Sequence, residues 1–314
     1  MPLMHGVRLA VGTLSIFPVR VEQVDRQVAG RAMMLAPVVG LALGLVAGLP
    51  LSLPVPPLLG AGLAAGLLAV LTRGLHLDGL ADLADGLGSR RPAAEALDIM
   101  KKSDIGPFGV MALVFTLLIQ VAALTEAGYA GLVTACVAGR LAVTWACREG
   151  VPSARPEGLG AMVAGTVRRV VPWLVTLAAL VTAAAIGLFS APGTGIWAAG
   201  TPTAPEIAPQ TAEAVFGGQW PCPGAFTTSF GGSCEDESQR ELTAVYAASD
   251  EPAASGLGLS EVVALPAALL AGLAAALLTL RHARRRLGGI TGDVLGALVE
   301  TATATTLVVA VVLG

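Results

Sequence analysis

Asp78, Asp82 and Asp85 lie four and three residues apart within the stretch Thr72 to Gly109. On a helix, positions spaced this way share a face, so the three carboxylates are expected to converge. Bare, they would repel one another; a hard divalent cation such as Mg²⁺ or Mn²⁺ would neutralise them, and such ions prefer carboxylate oxygens. Gly74, Gly79, Gly86 and Gly88 leave the face uncrowded, which would let a phosphate or ribose approach the backbone. The bland alternative is a solvated acidic helix end beside a membrane. His76 is open to three readings: metal ligand, general base or packed core histidine. Glu95, Asp98 and Asp104 bring the stretch to six acids.

Three later stretches carry matching chemistry. Arg140 falls about eight residues, hence roughly 12 Å by helix rise, inside an apolar run. A guanidinium at that depth calls for a carboxylate, a phosphate or a polar cavity. Arg148, Arg155, Glu157, Arg168 and Arg169 form a largely cationic collar able to hold a diphosphate. Membrane topology alone accounts for Arg168 and Arg169, and mostly for Arg281, Arg284, Arg285 and Arg286. In GGITGD, 288 to 293, glycines and Thr291 precede Asp293, and Glu300 follows seven residues later on the same helical face. That second acidic pair either completes a site with the first or marks a Gly-rich turn with a capping Asp.

The elements that position these residues are membrane helices. The chain of 314 residues is 54% hydrophobic and only 13% charged, with a mean hydropathy of +0.75, which is not a soluble composition. Its Leu, Ala, Val and Gly content suits closely packed helices rather than a barrel of alternating strands. The fold class is therefore all-α: a polytopic membrane helix bundle of about seven transmembrane helices. A helix or interfacial segment is expected at about 4 to 16, ended by Pro18. Spans are expected at 33 to 53, at 58 to 71 running on into the acidic stretch, and at 105 to 124. A tight turn at Glu126, Gly128 and Tyr129 leads to spans at 130 to 147, 170 to 188, 261 to 280 and 294 to 314.

Residues 1 to 190 and 261 to 314 form one transmembrane catalytic domain in this scheme, and 191 to 260 a polar insert of unknown role. The insert carries eight acids and Arg240; the remainder has 18 bases against 14 acids. Nearly all bases lie in the loops at 20 to 31, 73 to 104, 148 to 169 and 281 to 286, which alternate with base-poor connections. This predicts the N-terminus inside, the acidic stretch facing the cytoplasm and the insert outside. There Cys222 and Cys234 are expected to form a disulfide, whereas Cys136 and Cys147 read as buried small hydrophobes. No N-terminal run has the pattern of a cleavable signal.

Taken in order, HLDGLADLADG (76 to 86), IMKKSDIGPFG (99 to 109), GR at 139 to 140, ARPEGLG (154 to 160) and LGGITGDVLGALVE (287 to 300) resemble the cobalamin synthase family, the adenosylcobinamide-GDP ribazoletransferases. RAMMLAPVVGLALG from Arg31 resembles that family's first span. The resemblance covers the chain apart from the insert. It implies a multi-pass enzyme of the cytoplasmic membrane that uses Mg²⁺ and joins adenosylcobinamide-GDP to α-ribazole or its 5'-phosphate. GMP is released in this last assembly step of cobalamin biosynthesis. The partners implied are those two substrates, the bilayer and other membrane-associated corrinoid enzymes, with no nucleic acid.

Carried onto this chain, the family pattern puts Mg²⁺ on Asp78, Asp82 and Asp85, with Asp104, Asp293 and Glu300 ranked after them. Arg140, Arg155, Lys101, Ser103 and Gly292 are expected to bind substrate and phosphate, and His76 or Asp82 to take the proton of the attacking hydroxyl. One departure concerns Asp104: family members commonly read Lys/Arg-Asp-Ser-Arg/His where this chain has Lys101-Lys102-Ser103-Asp104, so acid and base are exchanged. Two other classes compete. A divalent-cation transporter or channel would spread its acids through several spans at mid-membrane depth, and a noncatalytic scaffold would need no site.

Overall fold

Prolines and glycines set where the helices begin and break. Pro37, Pro57 and Pro107 each occupy the first turn of a helix, where the missing N–H would have had no intrahelical partner. The computed structural model describes residues 2–19, 25–190 and 259–314. Its helices are α1 (Pro2–Leu14), α2 (Arg26–Met34), α3 (Ala36–Ala47), α4 (Pro57–Leu71), α5 (Leu75–Gly88) and α6 (Ala93–Ile99), followed by α7 (Pro107–Ala146), α8 (Leu159–Val163), α9 (Val171–Ser190), α10 (Leu259–Leu287) and α11 (Gly292–Leu313). A 3₁₀ turn, Leu49–Ser52, follows α3. Among the described residues there is no strand, only the isolated bridges Arg148 to Val167 and Ser153 to Ile290. The expected disulfide between Cys222 and Cys234 lies outside the described residues, as does nearly all of the insert.

The chain is a multi-pass helical membrane protein. Four helices, α7, α9, α10 and α11, are long and apolar enough to cross a bilayer, and six crossings result if α2 with α3 and α4 with α5 each make one bent crossing. Seven were expected. The count of six takes each of two bent pairs as one crossing and α7 as one helix, although the chain reverses within α7. The expected first span is broken by 47° at Leu35, before Pro37, and the second by 88° between α4 and α5. The reversal lies inside α7, whose 40 residues would reach about 60 Å if straight, twice the bilayer core.

Gly128, in the middle of α7, has φ 59° and ψ −157°, a region open essentially only to glycine. Gln120 donates to Glu300 at 2.8 Å, and Thr303 donates to the Ala135 carbonyl at 3.4 Å. Glu300 and Thr303 are one turn apart on α11, whereas Gln120 and Ala135 would stand about 22 Å apart on a straight helix. The chain therefore doubles back at Gly128, within the turn expected at Glu126 to Tyr129.

Helix α11 is the central element. Its most apolar window is 67% buried, against 33% or less for the other three long helices. Without a strong hydrophobic drive between helices in lipid, close packing through small residues holds such a bundle together. A Cβ built at Gly272 of α10 would fall 2.6 Å from the Ala302 carbonyl, and one at Gly139 of α7 3.0 Å from the Val299 carbonyl. On the outside, Trp173, Leu174, Leu177 and Val181 of α9 are exposed, as a lipid-facing side requires. Cys136 and Cys147 are buried free thiols, as expected.

Gly128→Val should destabilise the fold by about 1–3 kcal/mol through its positive φ. A lowered thermal unfolding midpoint in detergent would register this, and an unchanged midpoint would show that α7 does not need the reversal.

Candidate functional site

The acidic row does not continue the helix of the second span. Arg73 and Gly74 take consecutive positive φ values of 56° and 65°, ending α4 and starting α5 on a new axis 88° away. A continuous helix cannot carry two such residues. Helix α5 then crosses α11 with backbone against backbone. A Cβ at Gly79 would lie 2.9 Å from Asp293 Cα, and one at Gly296 3.1 Å from His76 Cα. Three of the four glycines expected to leave room for a ligand serve packing instead: Gly79 meets α11, Gly86 meets Met100 and Gly88 meets the Phe108 ring, while Gly74 faces open space at the bend.

This crossing sorts the expected metal ligands. Asp78 is exposed and Asp82 partly so. Asp82 feels the charges of Asp293, Asp78 and Asp85, opposed by Arg155. Asp293 of α11 therefore lies beside the aspartate row, whereas Glu300, its expected companion, does not. Asp85, by contrast, is 8% exposed, and both its oxygens accept backbone hydrogen bonds. Oδ2 accepts from the Gly106 amide at 2.7 Å and Oδ1 from the Gly109 amide at 2.9 Å. It is a carboxylate seated on the amino end of α7, where free amides and the helix dipole favour negative charge.

The expected convergence of all three aspartates is thereby corrected. Seven residues keep Asp78 and Asp85 on one face but place them about 10.5 Å apart along the axis. The far end of that face is covered by α7. The signal was in the sequence: Gly106-Pro107 opening a long apolar run reads as a helix start in need of an anion. Among the described residues, no three His, Cys, Asp or Glu side chains stand close enough to hold an ion as they are.

Arg155 lies where sequence reasoning wanted a cation, but its contacts are within the protein. Nη1 is 3.6 Å from Asp293 Oδ2 and Nη2 donates to the Leu97 carbonyl at 2.7 Å, which ties α6 to α11. Its loop is laced to the segment before α11: Ile290 N donates to the Pro152 carbonyl at 2.9 Å and Ala154 N to the Ile290 carbonyl at 3.0 Å. Thr291 caps α11 by accepting from the Val294 amide at 3.2 Å and donates to Asp293 Oδ2, also at 3.2 Å. Gly292 is half-buried in the first turn.

Other expected site residues fall elsewhere. His76 is buried, with Nδ1 3.5 Å from Arg140 Nη2. Two residues before Asp78, it sits about 200° round the helix, on the side away from the aspartates. Arg140 is 1% exposed and Glu300 is buried beside Gln120, so both lie inside the bundle. Lys101, Ser103 and Asp104 are exposed on the turn after α6, and Arg148 stacks on Trp145 at 5.1 Å.

Fold and site together define a class: a multi-pass helical membrane protein with an acidic face, edged by arginine, at one end of its bundle. Comparison with known proteins narrows it. The family model described as Cobalamin-5-phosphate synthase matches residues 6–218 and 224–311. Similar proteins include an adenosylcobinamide-GDP ribazoletransferase of Frankia casuarinae, 38% identical over 98% of this chain and 94% of its own length. Those of Nocardioides sp. and Corynebacterium efficiens are 41% and 36% identical over 51% and 62% of this chain, and 73% and 74% of their own. No solved structure matches. The chain belongs to the cobalamin-5-phosphate synthase family. The match runs through most of 191 to 260, which was expected to fall outside it.

Asp85→Ala would strand the Gly106 and Gly109 amides and should cost about 1–3 kcal/mol. Asp82→Ala, which removes one of several repelling charges, should leave the unfolding midpoint level or raised. Equal losses in the two variants would contradict this division of roles.

Proposed function

We propose that the chain transfers the adenosylcobinamide-phosphate group of adenosylcobinamide-GDP to α-ribazole or its 5'-phosphate, releasing GMP. The observation that carries the reading is the meeting of Asp78, Asp82, Asp293 and Arg155 where α5 crosses α11, in a chain of this family. The donor set fits Mg²⁺: only carboxylate oxygens are offered, and that ion takes one or two carboxylates and keeps several waters, so three pre-converged ligands are not required. Asp78 and Asp82 would hold it, with Asp293 able to join on leaving Arg155. When bound, the ion supplies charge neutralisation for a diphosphate.

The protein's own groups do the rest. A ribazole hydroxyl oxygen forms a bond to the cobinamide-linked phosphorus, the bond from that phosphorus to the bridging oxygen breaks, and GMP leaves with that oxygen. Asp82, a partly exposed carboxylate, would take the hydroxyl proton. Arg155 sits beside Asp293, where its charge would offset the charge growing on the departing phosphate. Phosphoryl transfer needs little beyond this positioning and charge stabilisation.

The site faces the cytoplasm in this reading. Arg286 reaches the Arg91 carbonyl, Arg284 the Gly150 carbonyl and Arg155 the Leu97 carbonyl, so the base-rich loops gather at one end of the bundle. The cation-channel reading fares worse. The buried acids among the described residues are Asp85, held by amides, and Glu300, which has the Arg140 charge close by. A guanidinium beside the deep acid would oppose a cation path.

Purified protein given both substrates and Mg²⁺ should release GMP, and chelation should stop it until Mg²⁺ is restored. Asp82→Ala should lower the rate by about 100-fold or more. Normal turnover in that variant would remove Asp82 from the site.

A further inference from the structure

Arg140 is the largest fully buried side chain among the described residues, and its polar atoms are unevenly served. Nη2 faces His76, but Nε and Nη1 are buried with no partner. A guanidinium carries five N–H donors and does not shed its charge inside a protein. Uncompensated burial of that charge would cost several kcal/mol. A counter-charge lies near: Glu300, buried on α11, accepts from Gln120 at 2.8 Å and feels the Arg140 charge, and Gly139, beside Arg140, packs on the Val299 backbone beside Glu300. The two charges do not touch, since the ion pairs within 4 Å among the described residues are Arg91–Glu95 and Arg155–Asp293. Buried, unserved donors with a carboxylate on the facing helix call for a bridging group such as ordered water.

We propose that Arg140 is a positioning residue rather than a substrate ligand. It forms a water-bridged internal charge pair with Glu300 and, through His76, holds the start of α5 against α11. The geometry is specific. The second arm of α7 carries Arg140, its first arm supplies Gln120, α11 supplies Glu300 and α5 supplies His76. Gly296, one turn before Glu300, is where the α5 backbone touches α11 at His76. The pair thus pins α5 just before Asp78, and a shift there would carry Asp78 and Asp82 away from Asp293. Depth separates this role from phosphate binding, because Arg140 is 1% exposed whereas the acids it steadies reach the surface.

The test compares Arg140→Gln, Glu300→Gln and the double variant as full-length protein in detergent, reading thermal unfolding together with kcat and KM for adenosylcobinamide-GDP. Each single change leaves one buried charge alone, so each should lower the unfolding midpoint, and the double variant should unfold above either single one. In Arg140→Gln, kcat should fall about tenfold or more while KM stays within about twofold. Arg140→Lys, which keeps the charge, should hold the midpoint above that of Arg140→Gln and offers the comparison if the latter does not fold. A KM raised about tenfold in Arg140→Gln with Glu300→Gln unaffected would make Arg140 a substrate ligand and overturn the proposal; so would strictly additive midpoints. The kinetic arm rests on the transferase reading and the unfolding arm does not. Wild-type protein without GMP release would sink that reading alone.

Discussion

The site depends on one contact, the crossing of α5 and α11 at a distance that only glycine allows. Gly79 lies on the Asp293 backbone and Gly296 on the His76 backbone, so the two helices touch without side chains between them. In lipid, where apolar side chains gain little by leaving one apolar medium for another, such approach is a main source of helix association. Here it also fixes chemistry. The acids of α5 and the acid opening α11 are brought together by backbone packing, in spite of the mutual repulsion of their charges. The favourable contact is made by one set of residues and the unfavourable charge is carried by the next.

That arrangement explains why the acidic stretch is so dense in glycine. Gly79, Gly86 and Gly88 meet α11, Met100 and Phe108, while Gly106 and Gly109 leave space for the Asp85 carboxylate. Asp85 in turn anchors α5 to the start of α7, and Arg155 anchors α6 and its own loop to the start of α11. The two anchors act at helix starts, where backbone N–H groups and dipoles favour acids. The aspartate face is therefore held at both ends, and neither anchor uses the side chain of Asp78 or Asp82.

Much of this was legible before any coordinates. Composition gave the membrane bundle, Gly128 and its neighbours the turn, and motif order the family. That the motif of Asp293 would lie near the α5 acids was one of two readings open for it, the other being a Gly-rich turn with a capping Asp. What periodicity could not supply was depth and direction. A helical face shared by Asp78, Asp82 and Asp85 says nothing of which end another helix covers. An expected continuous helix through Arg73 and Gly74 concealed the 88° bend, because two left-handed residues in succession are a tertiary outcome, and Arg73 carries no propensity for it. Likewise, Asp293 and Glu300 share a face of α11, yet seven residues take one to the surface and the other to the interior.

The bend also settles a conflict between solvent and charge. Had α4 run straight on, its continuation would have carried aspartates along the bilayer normal, each at a different depth and exposed to a different cost of burial. Turned through 88°, α5 lies across the direction of α4, so with α4 along the bilayer normal its successive turns would stay at similar depth. A row of carboxylates can then border water along its length while the apolar side of the same helix, with Ala81 and Leu83 buried, rests on the bundle. In the proposed reaction a diphosphate substrate would come from water and a hard cation would arrive hydrated. A transverse acidic helix at the end of a membrane bundle meets both, whereas a longitudinal one would meet them only at its tip.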